Sequence, residues 1–304
     1  MVSERVVVRV PGKINLQLSV GPLQPDGYHG LATVFQAVSL YDELKIKVSD
    51  DPGIRITSEG RNEFLPLNKD NLAYKAAELM AKKFELDAGF DIAIKKEIPI
   101  SGGMAGGSAD AGATIVALDS LFSLGLKRDV MEQIGAELGA DVPFTISGGT
   151  AIGTGRGDRI TPVLARGSYF WVLALSSSGL STPAVFKECD RLREGMQVSQ
   201  PHISDALMHA ISAGDAKALG AALSNDLQSA ACSLKPALRL ILDVGMDYGA
   251  LGGLVSGSGP TVAFLAENEE HALDLVVALT SSGVVGNVVR VTGPVPGARV
   301  IESA

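Results

Sequence analysis

Short segments that alternate apolar and polar residues, or are apolar throughout, mark the predicted strands of the chain. Successive side chains of a strand point to opposite faces, so alternation indicates one buried face. The pattern occurs at residues 6–10, 14–20, 44–48, 54–56 and 90–94, and again at 170–175, 261–265 and 288–291. Pro22, Pro25 and Gly27 follow the second segment and predict a loop there.

Apolar residues at helical spacing predict the helices. The segment 71–84 places Leu72, Ala76 and Met80 on one face, and Asp70 is the expected N-cap. Further helices are expected near residues 115–122, 130–138, 206–213, 216–223, 236–248 and 271–280. Strands and helices are mixed without strict alternation, which predicts an α+β fold rather than a doubly wound sheet. Because glycines cluster at 148–157, we expect two domains, 1–155 and 156–304.

Composition and charge narrow the classes of function. The 304 residues are 46% hydrophobic and carry a net charge of −8. Such a chain can bury a sizeable core, but its acidity disfavours nucleic acid or an anionic membrane as a partner. Cys189 and Cys232 show no Cys-x-x-Cys spacing, which fits a reducing compartment. No apolar run is long enough for a signal peptide or a membrane span, so we expect a cytoplasmic protein.

The most informative segment, residues 99–111, reads Pro-Ile-Ser-Gly-Gly-Met-Ala-Gly-Gly-Ser-Ala-Asp-Ala. Its four glycines lie between a predicted strand and a predicted helix, where backbone N–H groups and the helix dipole favour an anion. A triphosphate is the natural ligand. The segment lacks the Gly-Lys-Ser/Thr ending of a Walker A loop and the glycine spacing of a Rossmann fingerprint. A flexible loop with a tight turn is the alternative interpretation.

Three segments, taken in order, are similar to the motifs of a known family. Pro-Gly-Lys-Ile-Asn-Leu at 11–16, the glycine segment at 99–111, and Val-Ser-Gly-Ser-Gly-Pro-Thr at 255–261 resemble the three motifs of the GHMP kinases. The resemblance implies a two-domain GHMP kinase fold, with an N-terminal ribosomal-protein-S5-like ATP-binding domain and a C-terminal ferredoxin-like α/β sandwich. It also implies ATP as the phosphate donor, accompanied by Mg²⁺.

Two further segments resemble one branch of this family, which phosphorylates a hydroxyl group of a cytidine diphosphate alcohol in the non-mevalonate route to isoprenoid precursors. They are Asp-Gly-Tyr-His-Gly-Leu at 26–31 and Gly-Ala-Asp-Val-Pro-Phe at 139–144. The doubled glycine at 106 and 107 is also this branch's form of the phosphate loop. Mevalonate and homoserine kinases typically carry serine where these glycines stand. We therefore assign no metal role to Ser108 and expect no metal ligand from the protein.

The resemblance implies that Lys13 and Asp141 form the catalytic pair. Phosphoryl transfer to a hydroxyl needs a group that accepts the hydroxyl proton and a positive charge that steadies the attacking oxygen. Asp141 lies between Gly139 and Pro143 and can supply the carboxylate, while Lys13 follows Gly12. Taken without the family, a capping carboxylate and a solvated strand end are the alternative interpretations.

The resemblance also implies two sets of binding residues. Those expected around the nucleotide, with Asn71 and Lys96 near the adenine and ribose, are Asn71, Lys96, Pro99, Gly102, Gly103, Met104, Ala105, Gly106, Gly107, Ser108 and Asp110. Those expected around the substrate, with Tyr28 and Phe35 as flat faces for the base, are Asn15, Tyr28, His29, Phe35, Asp141 and Thr182.

Two other functions stay open from the sequence. A GHMP kinase of homoserine or mevalonate would explain the glycine motifs but not the Asp-Gly-Tyr-His segment. A catalytically inactive nucleotide sensor would be free to lose Lys13 or Asp141, yet both are present. The expected partners are the small-molecule substrate and ATP, without nucleic acid or membrane, and the chain is expected to be a monomer or a weak homodimer.

Overall fold

The computed structural model of the chain describes residues 4–60, 65–176 and 178–303. Its strands are β1 Arg5–Leu23, β2 His29–Ser49, β3 Ile54–Gly60, β4 Gly89–Lys96, β5 Thr150–Gly155, β6 Arg159–Pro162, β7 Tyr169–Leu175, β8 Ser224–Asn225, β9 Gly252–Val255, β10 Val262–Ala266, β11 Asn287–Gly293 and β12 Arg299–Ser303. Its helices are α1 Leu72–Phe84, α2 Gly106–Leu121, α3 Arg128–Ala136, α4 Val142–Ser147, α5 Thr182–Leu192, α6 Asp205–Ala213, α7 Ala216–Ala222, α8 Gln228–Leu234, α9 Ala237–Asp247 and α10 Glu269–Ser281.

The larger sheet is built on β1 and β2, two long antiparallel strands. Its order is β12-β1-β2-β4-β3, and β5 pairs with residues 31–36 of β2 whereas β4 pairs with residues 43–49. Alternate residues such as Val8 on β1 and Ile46 on β2 pack in one core with α1 and α2. The sheet and α2 therefore hold the glycine segment between β4 and α2.

The smaller sheet has the order β11-β7-β10-β9, and all of its pairs are antiparallel. Together with the chain order and α10, this is the ferredoxin-like arrangement that the resemblance implied. Strand β7 is apolar throughout because both of its faces are covered. Trp171 and Leu173 pack in the core that is shared with the larger sheet, while Val172 and Ala174 pack against α5, α8, α9 and α10.

A buried hydrogen bond joins the two sheets. Trp171 Nε1–H donates to Gln36 Oε1 at 2.9 Å, and Gln36 Nε2 donates to Thr150 Oγ1 at 3.2 Å. The side chains of Trp171 and Gln36 are fully buried. The two sheets therefore pack as one body around a common core.

The α+β prediction is confirmed, but several boundaries differ. The strands expected at 6–10 and 14–20 are one strand, because β1 passes a bulge after Pro11 without losing its pairing with β2. The predicted cap Asp70 is wrong, since Asn71 caps α1. The border expected at 155 falls inside the β5–β6 hairpin, and β8 and β12 return to β1. We propose a border at 163–168 instead.

No helix in the described residues is both long and apolar enough to cross a membrane.

Candidate active site

The glycine segment forms a strained loop between β4 and α2, called the glycine loop (residues 99–108). Ser101, Gly103 and Ala105 have positive φ angles of 51°, 77° and 59°. Helix α2 begins at Gly106, so the N–H groups of its first turn have no partners within the helix. These residues line a first cavity of about 760 Å³. Free N–H groups at a helix N-terminus form an anion site.

The third motif (residues 255–261) holds the glycine loop from the other domain. Ser256 Oγ donates to Gly103 O at 3.0 Å, and Thr261 N–H donates to Gly102 O at 3.2 Å. A Cβ on Gly103 would lie only 2.1 Å from Ser256 O. The close approach of the two motifs thus requires glycine at position 103.

A buried charge cluster, made of Asp42, Lys96 and Asp110, lies beneath the glycine loop. The Lys96 ammonium donates to Asp42 Oδ2 at 2.5 Å, to Asp110 Oδ2 at 2.7 Å and to the Gly106 carbonyl at 3.0 Å. No side chain of the cluster is more than 1% exposed. Asp42 Oδ1 also accepts the N–H groups of the two residues that follow Lys96. The cluster therefore ties the end of β4 to the first turn of α2.

The buried charge cluster has two carboxyl groups for one ammonium. Burial raises the pKa of Asp110 well above its usual range, Lys96 offsets part of this effect, and Asp42 adds to it. Burial also acts to lower the pKa of Lys96, but the two carboxyl groups outweigh it and the pKa is raised. Asp110 Oδ1 has no hydrogen-bond partner among the described residues. The direction of this shift favours the protonated form of Asp110, in which the cluster is neutral overall.

Lys13 and Asp141 lie side by side in the first cavity. Lys13 Nζ is 3.8 Å from Asp141 Oδ2 and donates to Asn15 Oδ1 at 2.7 Å. Burial lowers the pKa of Lys13, and the Asp141 carboxylate offsets part of that effect. Asn15 in turn donates to Thr33 Oγ1 at 2.8 Å. The ammonium is therefore fixed in position beside a carboxylate that stays about one third exposed, with a relative exposure of 34%.

The alternative interpretations of this pair find little support in the geometry. Asp141 precedes α4, but its side chain makes no capping hydrogen bond within the described part of the chain. Lys13 is 4% exposed and is therefore not a solvated strand end. A Cβ on Gly257, in the third motif, would lie 3.4 Å from Lys13 Nζ, so both domains enclose the ammonium.

A second cavity of about 910 Å³ adjoins the first and shares Arg156, Thr182 and Phe186 with it. His29 lies in its wall, stacked on Phe186 with 5.3 Å between ring centroids. Its Nδ1 lies 2.8 Å from a backbone carbonyl of β1, and its Nε2 lies 3.4 Å from Asp190 Oδ1. A carbonyl can only accept, so Nδ1 donates the hydrogen bond to it. The cavity thus offers a flat ring with polar groups at its edge.

The remaining substrate candidates divide between the cavity walls and the core. Tyr28 is 53% exposed at the second cavity, and Thr182 lines both cavities with its Oγ1 2.8 Å from Ser258 Oγ. Phe35 is 2% exposed and packs on Phe144, with centroids 5.0 Å apart. Phe35 touches the first cavity near Lys13 rather than the second, where the ring stacked on His29 is Phe186.

Several expected nucleotide residues have no open side-chain surface, namely Asn71, Lys96, Pro99, Met104 and Asp110. Asn71 is 4% exposed, caps α1 by accepting the Ala73 N–H, and donates to Pro66 O. Its expected contact with adenine and ribose, like that of Lys96, would need a surface that the side chain lacks. The residues of the glycine loop that do line the cavity are Gly102, Gly103, Ala105, Gly106, Gly107 and Ser108. The surface that this loop opens to the cavity is therefore mainly backbone.

Sequence reasoning missed Asp42, Arg156, Phe186 and Asp190. Each is separated from its partners by many residues, and no short motif contains any of them. Asp42 lies among other charged residues of β2, so the sequence carries no signal that this carboxyl group is buried.

Family models and relatives place this arrangement in a known class. The model of the GHMP kinases N terminal domain matches residues 71–149, and that of the GHMP kinases C terminal domain matches residues 207–285. The chain belongs to the GHMP kinase family, whose members use ATP.

Several similar proteins share one name. The 4-diphosphocytidyl-2-C-methyl-D-erythritol kinase of Nocardia farcinica is 51% identical, with 99% of this chain and 98% of the relative covered. That of Mycobacterium tuberculosis is 48% identical, with coverages of 98% and 93%. A crystal structure of 4-(cytidine 5'-diphospho)-2C-methyl-D-erythritol kinase matches with a TM-score of 0.76 and 30% identity, over 94% of this chain and 98% of that one. A homoserine kinase from Cytophaga hutchinsonii shares the fold, with a TM-score of 0.77 at 19% identity and coverages of 99% and 98%.

Proposed function

We propose that this protein transfers the γ-phosphoryl group of ATP to the 2-hydroxyl of 4-diphosphocytidyl-2-C-methyl-D-erythritol. The products are the 2-phosphate and ADP, in the methylerythritol phosphate route to isoprenoid precursors. The observation that carries the proposal is the position of Lys13 and Asp141, between the glycine loop and a cavity suited to a nucleobase. Relatives that are about half identical over their full length support the same substrate.

The proposed reaction uses the pair in complementary roles. Asp141 accepts the proton of the substrate hydroxyl, and the oxygen attacks the γ-phosphorus as the bond to the β-phosphate oxygen breaks. Lys13 holds the attacking oxygen and offsets its developing negative charge, which a buried ammonium does strongly because water is excluded. Positioning of the two reactants supplies much of the remaining acceleration.

The backbone N–H groups of the glycine loop would hold the triphosphate against the N-terminus of α2. No group of three or more His, Cys, Asp and Glu side chains in the described residues could hold a metal ion. The site fits Mg²⁺ that arrives with ATP, because such an ion keeps water and phosphate ligands and needs one or two protein oxygens. Ser108 and Asp141 line the cavity and have such oxygens. When bound, the ion would neutralise phosphate charge.

A coupled assay of ADP release tests the proposal. With Mg-ATP, turnover should depend on 4-diphosphocytidyl-2-C-methyl-D-erythritol and be absent with mevalonate or homoserine. Turnover of either simpler alcohol would favour another GHMP kinase. ATP binding without turnover of any alcohol would favour the nucleotide sensor.

A further inference from the structure

Arg156 stands at the junction of the two cavities. It belongs to the turn between β5 and β6, flanked by Gly155 and Gly157 with φ angles of 73° and 93°. Its backbone N–H donates to Asp158 Oδ1 at 3.0 Å, which fixes the turn. Its side chain is 54% exposed and lines both cavities. The turn thus holds a solvent-accessible guanidinium between the phosphate-transfer end and the base end.

The partners of Arg156 are exchangeable. Its guanidinium carbon lies 3.7 Å from the centre of the Tyr28 ring, and its Nη2 donates to Asp26 Oδ2 at 3.1 Å. Both members of the ion pair are about half exposed. Exposed pairs of this kind are weak, so a doubly charged ligand can displace the Asp26 carboxylate.

Among the described residues, few cationic side chains line the two cavities. Among the described lining residues, Lys13, Arg156 and Lys187 are the cations, and only Arg156 lines both cavities. Lys13 is already engaged with Asp141 and Asn15. Acidic side chains also line the second cavity, so a diphosphate that crosses the junction needs a counter-charge there.

We propose that Arg156 binds the diphosphate of the cytidine diphosphate alcohol and leaves Asp26 to do so. The inference rests on the proposed function: a base beside His29 and an alcohol beside Asp141 place the diphosphate between the cavities. A guanidinium suits this ligand because its planar fork can donate two parallel hydrogen bonds to phosphate oxygens. Arg156 is therefore a substrate-binding residue that reads the charge of the linker.

Titration calorimetry with cytidine 5'-diphosphate and with cytidine separates the linker from the base. Wild type should bind the diphosphate more tightly than the nucleoside. Arg156→Gln should lower that preference by about 10- to 100-fold, as expected for lost charge-assisted hydrogen bonds. The affinity for cytidine should stay within about twofold, as should the affinity for ATP. Arg159→Gln, in the same hairpin, is the matched control and should change neither constant.

A second variant tests the exchange. Asp26→Asn keeps the acceptor for the Tyr28 N–H but removes the competing charge, so it should tighten cytidine 5'-diphosphate by about two- to fivefold and leave cytidine unchanged. Arg156→Gln with an undiminished preference, or with equal loss for both ligands, would overturn the inference, as would weaker diphosphate binding by Asp26→Asn. A wild-type protein that binds neither ligand would instead overturn the proposed function together with the inference.

Discussion

Replacement of Lys96 by Met would remove the positive charge of the buried charge cluster. Met has a similar length, so the change removes charge and hydrogen bonds rather than volume. The carboxyl groups of Asp42 and Asp110 have side-chain exposures of 0%. The removal of one partner from a buried ion pair destabilises a protein by about 3–5 kcal/mol, because the remaining charge is left without compensation. We expect a loss of this size for Lys96→Met.

Urea unfolding at neutral pH measures this loss. Trp171 is the one tryptophan of the chain and is buried where the two sheets meet, so its fluorescence reports on the shared core. With a slope of about 1–3 kcal/mol per molar urea, the midpoint should fall by about 1 M or more. The KM for ATP should also rise, since Lys96 no longer anchors the Gly106 carbonyl.

Asp110→Asn supplies the matched control. The amide resembles the protonated carboxyl group, so at about pH 4 this variant should stay within about 1 kcal/mol of wild type. In the Lys96→Met background, Asp110→Asn should change the stability by the same amount as it does in wild type, because the carboxyl group that it replaces is neutral in both. A Lys96→Met variant that loses less than about 1 kcal/mol, or an effect of Asp110→Asn that depends on Lys96, would refute the electrostatic account of the cluster.

The pH dependence of stability tests the proton on Asp110. Its pKa is raised in the folded state by burial. An acid with a raised folded pKa stabilises the fold fully below its unfolded pKa of about 4, and this contribution is lost as the pH rises through the folded pKa. Asp110→Asn lacks this loss, so its stability relative to wild type should increase from about pH 4 towards neutrality. The opposite trend would mean that Asp110 is ionised and is stabilised by Lys96.

Three further substitutions address the catalytic pair, the loop and the interface. Asp141→Asn should lower kcat by about 10²- to 10⁴-fold with little change in ATP affinity. A near-normal rate in a single-turnover assay would show that Asp141 is not the base. Gly103→Ala should weaken ATP binding and lower the urea midpoint. The control is Gly125→Ala, whose Cβ would meet nothing within 4 Å and which should show only the cost of its positive φ, about 1–2 kcal/mol. Equal effects of the two substitutions would exclude the contact between Gly103 and the third motif. Trp171→Phe should destabilise by about 1–3 kcal/mol in unfolding followed by circular dichroism, because its buried glutamine partner loses a donor, and an unchanged midpoint would argue against that hydrogen bond.

The sequence predicted the elements whose patterns are local. The period of apolar residues located β4 and α10 closely, and the glycine cluster located the turn that leads into α2. It could not predict contacts between distant segments. Asp42 and Lys96 are 54 positions apart, and a lysine at the end of a strand has the same local pattern whether it faces solvent or a buried carboxylate. Phe35 and Phe186 show the same limit, since aromatic composition does not say which ring faces the second cavity.

The proposed phosphate site is made of backbone groups, so the glycine loop depends on what lies behind it. The loop offers N–H groups rather than cationic side chains, so its affinity depends on how accurately those groups are held. Lys96 holds the loop by donating to the Gly106 carbonyl, and Ser256 holds it from the second domain by donating to the Gly103 carbonyl. A change that loosens either support should therefore weaken ATP binding, although the changed residue contacts no ligand atom. In Lys96→Met this effect is measured as a rise in the KM for ATP, separately from the loss in free energy of unfolding.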